Sequence, residues 1–340
     1  MAAILSTLSS FFSARHGLCR KAACALALTA AAPLPLAANV FDKDDRRPLT
    51  AEDGFAAVGQ IVCDGSSRRP IGTLIQHPRL PENRDYDLVV TVAHAFRGRH
   101  NSMEARCAFL PGGLDSEARD VVHIALGTLE PGKAWHHDWA VAAIAGTPST
   151  EFGALPLRTL TPQDLAPVTR AGGRYVLIGK NGERPRMMIS ERCGPVPKRH
   201  WHHGYFSPGE FNHDCDMIPG WSGGPLVLLL GGERHIVALN TTELNGIVHK
   251  VGDPWHPRMF PNTAIRFDGA FRDAVARLAG GSWLQREDDA PATRTTPASA
   301  DGLAFSVIPE SCPDESGADA LAVLSAEITL VPAAQARAIC

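Results

Sequence analysis

Three short stretches of the chain carry side chains capable of covalent chemistry. Leu88-Val-Val-Thr91-Val-Ala-His94-Ala-Phe96 ends an apolar run on a histidine. His136-His137-Asp138-Trp139-Ala140-Val141 sets a carboxylate at the mouth of another apolar run. Asp214-Cys-Asp-Met-Ile-Pro-Gly220-Trp-Ser222-Gly-Gly-Pro225 places a serine among glycines, ahead of Leu-Val-Leu-Leu-Leu. Taken singly, each has a plain explanation: a satisfied structural histidine, a strand-end cap, a tight turn. Taken in order, they supply a base, an acid to orient it and a nucleophile. A serine hydroxyl attacks poorly at neutral pH unless a base takes its proton. His94 fits that base, and Asp138 fits the group that fixes the imidazole tautomer and stabilises the imidazolium. The backbone N–H groups of Gly220 and Ser222 fit an oxyanion hole. Glycine suits that turn because a Cβ would obstruct both the turn and an approaching substrate.

These groups must be held by the elements around them, and those read as short strands. Apolar or alternating runs fall at 56–63, 70–75, 88–92, 121–126 and 139–144, then at 175–178, 187–193, 225–230 and 235–240. Turn-forming residues such as Pro81-Glu82-Asn83-Arg84 and Pro111-Gly112-Gly113 separate them. One helix is expected: Asp268 caps it, Phe271, Val275 and Leu278 share a face, and Gly280-Gly281 stops it. Two groups of strands and one terminal helix predict an all-β chain, as barrels or sandwiches. Residues 283–300, rich in Asp, Pro, Thr and Ala, read as a linker, and 301–340 as a C-terminal extension.

The first 38 residues read as a secretory signal. Arg15, Arg20 and Lys21 precede an apolar segment, no acid occurs before Asp42, and Leu36-Ala37-Ala38 offers a cleavage site. Pro33 and Pro35 interrupt a run already short for a bilayer, so no stable membrane insertion is expected once the signal is removed. Removal takes Cys19 and Cys24 with it and leaves Cys63, Cys107, Cys193, Cys215, Cys312 and Cys340, an even set that suits disulfides in an exported chain. Across all 340 residues, 33 Lys+Arg against 36 Asp+Glu give a net charge of −3, which argues against a nucleic-acid partner. With 44% hydrophobic and 20% charged residues, the chain is neither disordered nor polytopic.

The three reactive stretches resemble those of the chymotrypsin-like serine peptidases, whose signatures run Thr-Ala-Ala-His, Asp-(x)-Ala and Gly-x-Ser-Gly-Gly-Pro. The opening Phe41-Asp-Lys-Asp-Asp45-Arg46, and the lack of a cysteine after His94, are more similar to the bacterial branch that includes glutamyl endopeptidases. The resemblance covers roughly residues 39–282. It implies two six-stranded antiparallel β-barrels with a cleft between them, a C-terminal helix, a polypeptide substrate, no cofactor and no metal. With Cys63 and Cys107 on either side of His94 in the first barrel so implied, and Cys193 and Cys215 leading into the serine turn, the disulfides Cys63–Cys107 and Cys193–Cys215 are expected. Cys312 and Cys340 are left as a third pair by elimination, and free buried thiols are the alternative. Asp216 takes the place of the specificity-pocket acid of trypsin-type enzymes. Asn240 takes that of the glutamate-reading histidine, and Thr241 and Thr242 offer backbone groups to an extended substrate. Trp221 stands where the digestive enzymes keep an aspartate for a freshly cut N-terminus, so no activating cleavage of that kind is expected.

Two rival functions arise from the same residues. Gly220-Trp221-Ser222-Gly223-Gly224 matches the esterase elbow G-x-S-x-G, but that elbow needs a strand before the serine, a helix after it, and a later acid and histidine. Asp253 and His256, three residues apart, fit that role badly. A protease-shaped binding protein would be expected to have lost one of the three reactive residues. His200, His202, His203 and His213 raise a metal site, yet no acid completes a ligand set, and a solvated loop is the simpler expectation.

Overall fold

The computed structural model describes residues 40–41, 43–97, 106–113, 115–180, 186–196, 209–243, 261–281 and 283–284, with the backbone of 303–308 and 326–332. A two-residue strand, β1 (Arg47–Pro48), precedes the first barrel. That barrel is built from β2 (Val58–Cys63), β3 (Ile71–Gln76), β4 (Tyr86–Thr91), β5 (Cys107–Pro111), β6 (Arg119–Leu126) and β7 (Ala140–Ala145). Every neighbouring pair is antiparallel, and the ring β2-β3-β4-β7-β6-β5 closes on β2. Closure leaves no long sheet edge open. β4 is buried at all six positions, and the alanines of β7 pair with it at Val89–Ala142 and Thr91–Ala140. Ile61, Leu74, Val89, Phe109, Leu126 and Val141 pack in its core.

After β8 (Leu155–Pro156), the second barrel runs through β9 (Arg174–Lys180), β10 (Met187–Cys193), β11 (Glu210–His213), β12 (Pro225–Leu230), β13 (Glu233–Glu243) and β14 (Asn262–Arg266). The strands order as β10-β9-β12-β13-β14-β11, with β1 added beside β10. The chain beyond β10 closes this ring: Pro195 bridges His213, and Val196 N–H donates to the Asn212 carbonyl at 2.9 Å. One disulfide lies in each barrel, Cys63–Cys107 in the first and Cys193–Cys215 in the second, as expected from the positions of these cysteines. Cys312 and Cys340 fall outside the described residues.

α1 (Gly269–Ala279) is the expected terminal helix. Asp268 Oδ1 accepts from Phe271 N at 2.8 Å as its N-cap, and Phe271, Val275 and Leu278 are buried. Beyond it, Trp283 meets Tyr86 edge-on and stacks over His123, both at 5.3 Å, so the packed body reaches one residue into the stretch expected as linker. β15 (Leu303–Ile308) and β16 (Ala326–Pro332) form a hairpin, and β16 pairs with β6 at residues 123–126, past the point where β5 leaves it. Among the described residues no helix is long and apolar enough to cross a membrane.

Strands β5, β11 and β14 escape a reading of apolar runs, and the latter two for a clear reason. Asn262-Thr-Ala-Ile-Arg266 and Glu210-Phe-Asn-His213 are polar sequences buried by their partners. The Arg266 guanidinium donates to the Glu210 and Leu160 carbonyls at 2.6 and 2.7 Å, which satisfies a charge that burial would otherwise penalise. His213 is corrected in the same way. It is a core strand residue with no exposure, not part of a solvated histidine loop. His200, His202 and His203 lie outside the described residues, and no metal-binding group occurs among the described ones.

Candidate active site

His94 sits on a single 3-10 turn, Ala93–Ala95, immediately after β4. Asp138 follows another such turn, Trp135–His137, and leads into β7. Since β4 and β7 are antiparallel neighbours, the end of one meets the start of the other. Three hydrogen bonds fasten the junction. Ala93 N donates to the Asp138 carbonyl at 3.1 Å, His94 N to Asp138 Oδ1 at 2.8 Å, and His94 Nδ1 pairs with Asp138 Oδ2 at 2.6 Å. The Asp138 side chain is 4% exposed and that of His94 25%. A carboxylate accepts, so Nδ1 carries the proton and Nε2 keeps a lone pair able to accept one.

Ser222 stands on the turn before β12, at the seam between the barrels. Its carbonyl accepts from Ile71 N of β3 at 2.8 Å, and the next N–H, of Gly223, donates to the Asn240 carbonyl at 2.7 Å. Gly223 has φ +79°, and a Cβ there would run into the Ile71 carbonyl, so this position admits glycine alone. Ser222 Oγ donates to the Thr241 carbonyl at 3.2 Å. Among the described residues no hydrogen bond joins it to His94. Nucleophile–base contacts of this type are often long before substrate arrives. Thr241 supplies the link: its hydroxyl donates to Asp138 Oδ2 at 2.9 Å. A register shift between Asn240 and Thr242 gives β13 a bulge there, which re-aims the intervening side chain toward the first barrel. Gly220 has φ +98°, and among the described residues neither its N–H nor that of Ser222 donates to a backbone carbonyl. Ser222 is followed by a strand rather than a helix, which removes the esterase elbow.

Two closed six-stranded barrels in sequence, with the reactive side chains at their seam, decide the architecture. The fold is chymotrypsin-like. A solved Glu endopeptidase superposes with a TM-score of 0.51 at 18% identity, over 71% of this chain and 100% of that one. Protease Anisep from Arthrobacter nicotinovorans gives 0.47 at 12% identity, over 69% and 99% of the two chains. The Vibrio cholerae VesB protease gives 0.44 at 12%, over 78% and 69%. At these identities the likeness is one of fold. No protein-family model and no curated protein matches the chain.

Within this chymotrypsin-like frame, three expected substrate contacts have their side chains committed elsewhere. Asn240 is fully buried: its Nδ2 donates to the Trp221 carbonyl at 3.0 Å, and its Oδ1 meets His213 Nε2 at 3.2 Å. His213 Nδ1 accepts from Cys215 N at 3.3 Å, so Nε2 holds the proton, and burial pushes this imidazole down to about 4. The Thr241 hydroxyl serves Asp138, and its carbonyl accepts from Ser222 Oγ. Asp216 is 4% exposed, and both carboxylate oxygens are taken, by Phe41 N at 2.7 Å and Asp45 N at 3.0 Å. It therefore lies under the N-terminal segment and does not floor an open pocket. Burial is the main influence raising its pKa, to about 6, against the lowering effect of those two N–H donors. Thr242 pairs through its backbone with Thr263, and its side chain is outside the described set.

The Asp216 contacts and the Thr241 hydroxyl are what sequence reasoning missed. Trp221, in contrast, behaves as its apolar nature suggests. It is fully buried and wedged against Gly179 of β9, where a Cβ would strike the indole.

Proposed function

We propose that the chain is an exported serine endopeptidase. Ser222 Oγ attacks the scissile carbonyl carbon, and its proton passes to His94 Nε2. The oxyanion is held by the N–H groups of Gly220 and Ser222. The C–N bond then breaks, with His94 giving its proton to the leaving amine, and water hydrolyses the Ser222 ester by the same base. Asp138 keeps Nδ1 protonated throughout. The reading is carried by one observation: His94 and Asp138 are locked by three hydrogen bonds at the barrel seam and tied to Ser222 through Thr241. The chymotrypsin-like fold supports a peptide substrate. Export is supported by the two disulfides and by the apolar, acid-free start of the chain. On this reading residues 1–38 are the signal, 39–282 hold the peptidase, 283–300 link and 301–340 extend it.

A fluorophosphonate probe tests the proposal. It is expected to label Ser222 in the wild type and nothing in Ser222→Ala, with peptide-library cleavage lost in parallel. Labelling at another serine, or undiminished cleavage by Ser222→Ala, would overturn it.

A further inference from the structure

The segment ahead of β1 does more than lead into the barrel. Phe41 N and Asp45 N, four residues apart, converge on the two oxygens of Asp216, six residues before Ser222. Asp216 N donates to Ser190 Oγ at 3.0 Å, and that hydroxyl donates to Asp45 Oδ1 at 3.2 Å. Asp45 Oδ2 accepts from Arg192 N at 3.0 Å. Strap, β10 and the Asp216 segment are thus knitted by one hydrogen-bonded cluster, buried at Asp216 and Ser190 and open to solvent at Arg192, beside the Cys193–Cys215 disulfide. A second grip lies next to the nucleophile itself: the Arg46 guanidinium stands 5.9 Å over the Trp221 ring. Val40 and Phe41 are 3% and 5% exposed, so the strap is packed at its start, while Lys43 and Asp44 face solvent.

We propose that Asp216 is a positioning residue that clamps the 40–48 strap against the nucleophile turn, and that this clamp orders Gly220 and Ser222. The inference rests on the proposed function for its consequence in catalysis, and on geometry for the clamp. Its chemical point is that the donors are main-chain N–H groups inside the strap. A clamp built on these internal N–H groups needs no α-amine created by a cut at a defined bond.

Four forms test this: the chain from Asn39, the same chain with a short extension ahead of Asn39, the chain from Arg47, and Asp216→Asn. The extended form is expected to match the Asn39 form within about twofold in fluorophosphonate rate. The Arg47 form and Asp216→Asn are expected to lose about tenfold or more in kcat with KM nearly unchanged, because orientation and not binding is affected. Hydrogen exchange of amides 217–224 is expected to quicken in both. A peptide of residues 39–48 added in trans is expected to restore the Arg47 form, which separates positioning from simple misfolding. Full kcat and unchanged exchange in Asp216→Asn and the Arg47 form would overturn the proposal, as would loss of rate on extension, which would indicate a free-amine device. If the wild type is not labelled at Ser222, the peptidase reading fails, while the exchange comparison still decides the clamp.

Discussion

The Thr241 hydroxyl donates to Asp138 Oδ2 at 2.9 Å, joining residues 103 apart in sequence and belonging to different barrels. The same residue's carbonyl accepts from Ser222 Oγ. One bulged position of β13 therefore reads out the placement of both the acid and the nucleophile. If the barrels shifted at their seam, the Thr241–Asp138 bond would be lost, while the Ser222–Thr241 bond, made within the second barrel, would move with it.

This gives the first prediction. Thr241→Val removes the hydroxyl and keeps the shape and the carbonyl. A hydrogen bond to a charged acceptor is worth about 1.5–3 kcal/mol, so kcat is expected to fall roughly tenfold to a hundredfold. KM is expected to stay nearly constant, and Thr241→Ser is expected to restore most of the rate. Steady-state kinetics on a peptide substrate checks it; equal losses in the serine and valine variants would assign the effect to packing.

A second prediction concerns Asp138 itself. Asp138→Asn retains an acceptor for His94 N but turns an amide N–H₂ toward the other donors. The imidazole then favours the wrong tautomer, with Nε2 protonated and unable to accept from Ser222. On the template of Ser-His-Asp enzymes, kcat is expected to fall about 10⁴-fold with little change in thermal midpoint. A decrease below about tenfold would take Asp138 out of the reaction.

How much of this was legible beforehand differs residue by residue. His94, Asp138 and Ser222 were visible because each sits where a strand starts or ends, and such ends are marked by abrupt changes of residue type. The closed barrels were not visible in the periodicity, because pairing partners such as Glu210–His213 and Asn262–Arg266 carry buried polar residues that mimic loop sequence. Asp216 and Asn240 take the places of pocket residues by analogy, yet Asn240 is held by the His213 side chain and the Trp221 carbonyl, and Asp216 by main-chain groups far away in sequence, such as Phe41 N at a separation of 175. Main-chain donors leave no mark on a sequence. The Thr241 contact depends on a one-residue bulge, which is equally silent.

The third prediction concerns the Cys193–Cys215 bridge, which closes a span of 22 residues. On the chain-entropy view this is worth about 3 kcal/mol, exerted mainly on the unfolded chain. Replacing both cysteines by serine is expected to lower the thermal midpoint by roughly 6–12 °C, at about 2–4 °C per kcal/mol for a domain of this size. Activity is also expected to drop, because Cys215 adjoins Asp216. Non-reducing peptide mapping is expected to recover Cys63–Cys107 and Cys193–Cys215 as linked peptides. Alkylation of Cys215 without prior reduction would contradict the structure.

The last prediction sets two buried groups against each other. His213 falls from its ordinary 6.5 to about 4 because burial disfavours its charged form. Between those values the unfolded chain binds the extra proton, so the His213 contribution is whole above pH 6.5 and is lost as pH falls toward 4. Asp216 moves the other way, from 3.8 to about 6, chiefly through burial. Over that interval the folded chain holds the extra proton, so the Asp216 contribution is whole below pH 3.8 and is lost as pH rises toward 6. The two slopes oppose each other across nearly the same window, and their sum is expected to be shallow. Substitution should therefore unmask each in turn. Asp216→Asn is expected to leave a chain that gains stability steadily from about pH 4 to 6.5, following His213 alone. His213→Gln, whose amide can still reach Asn240, is expected to leave one that loses stability as pH rises through the same range. Denaturant midpoints for the wild type and both variants, taken at half-unit steps of pH, check it. Parallel curves for all three proteins would show that neither group titrates differently in the folded chain.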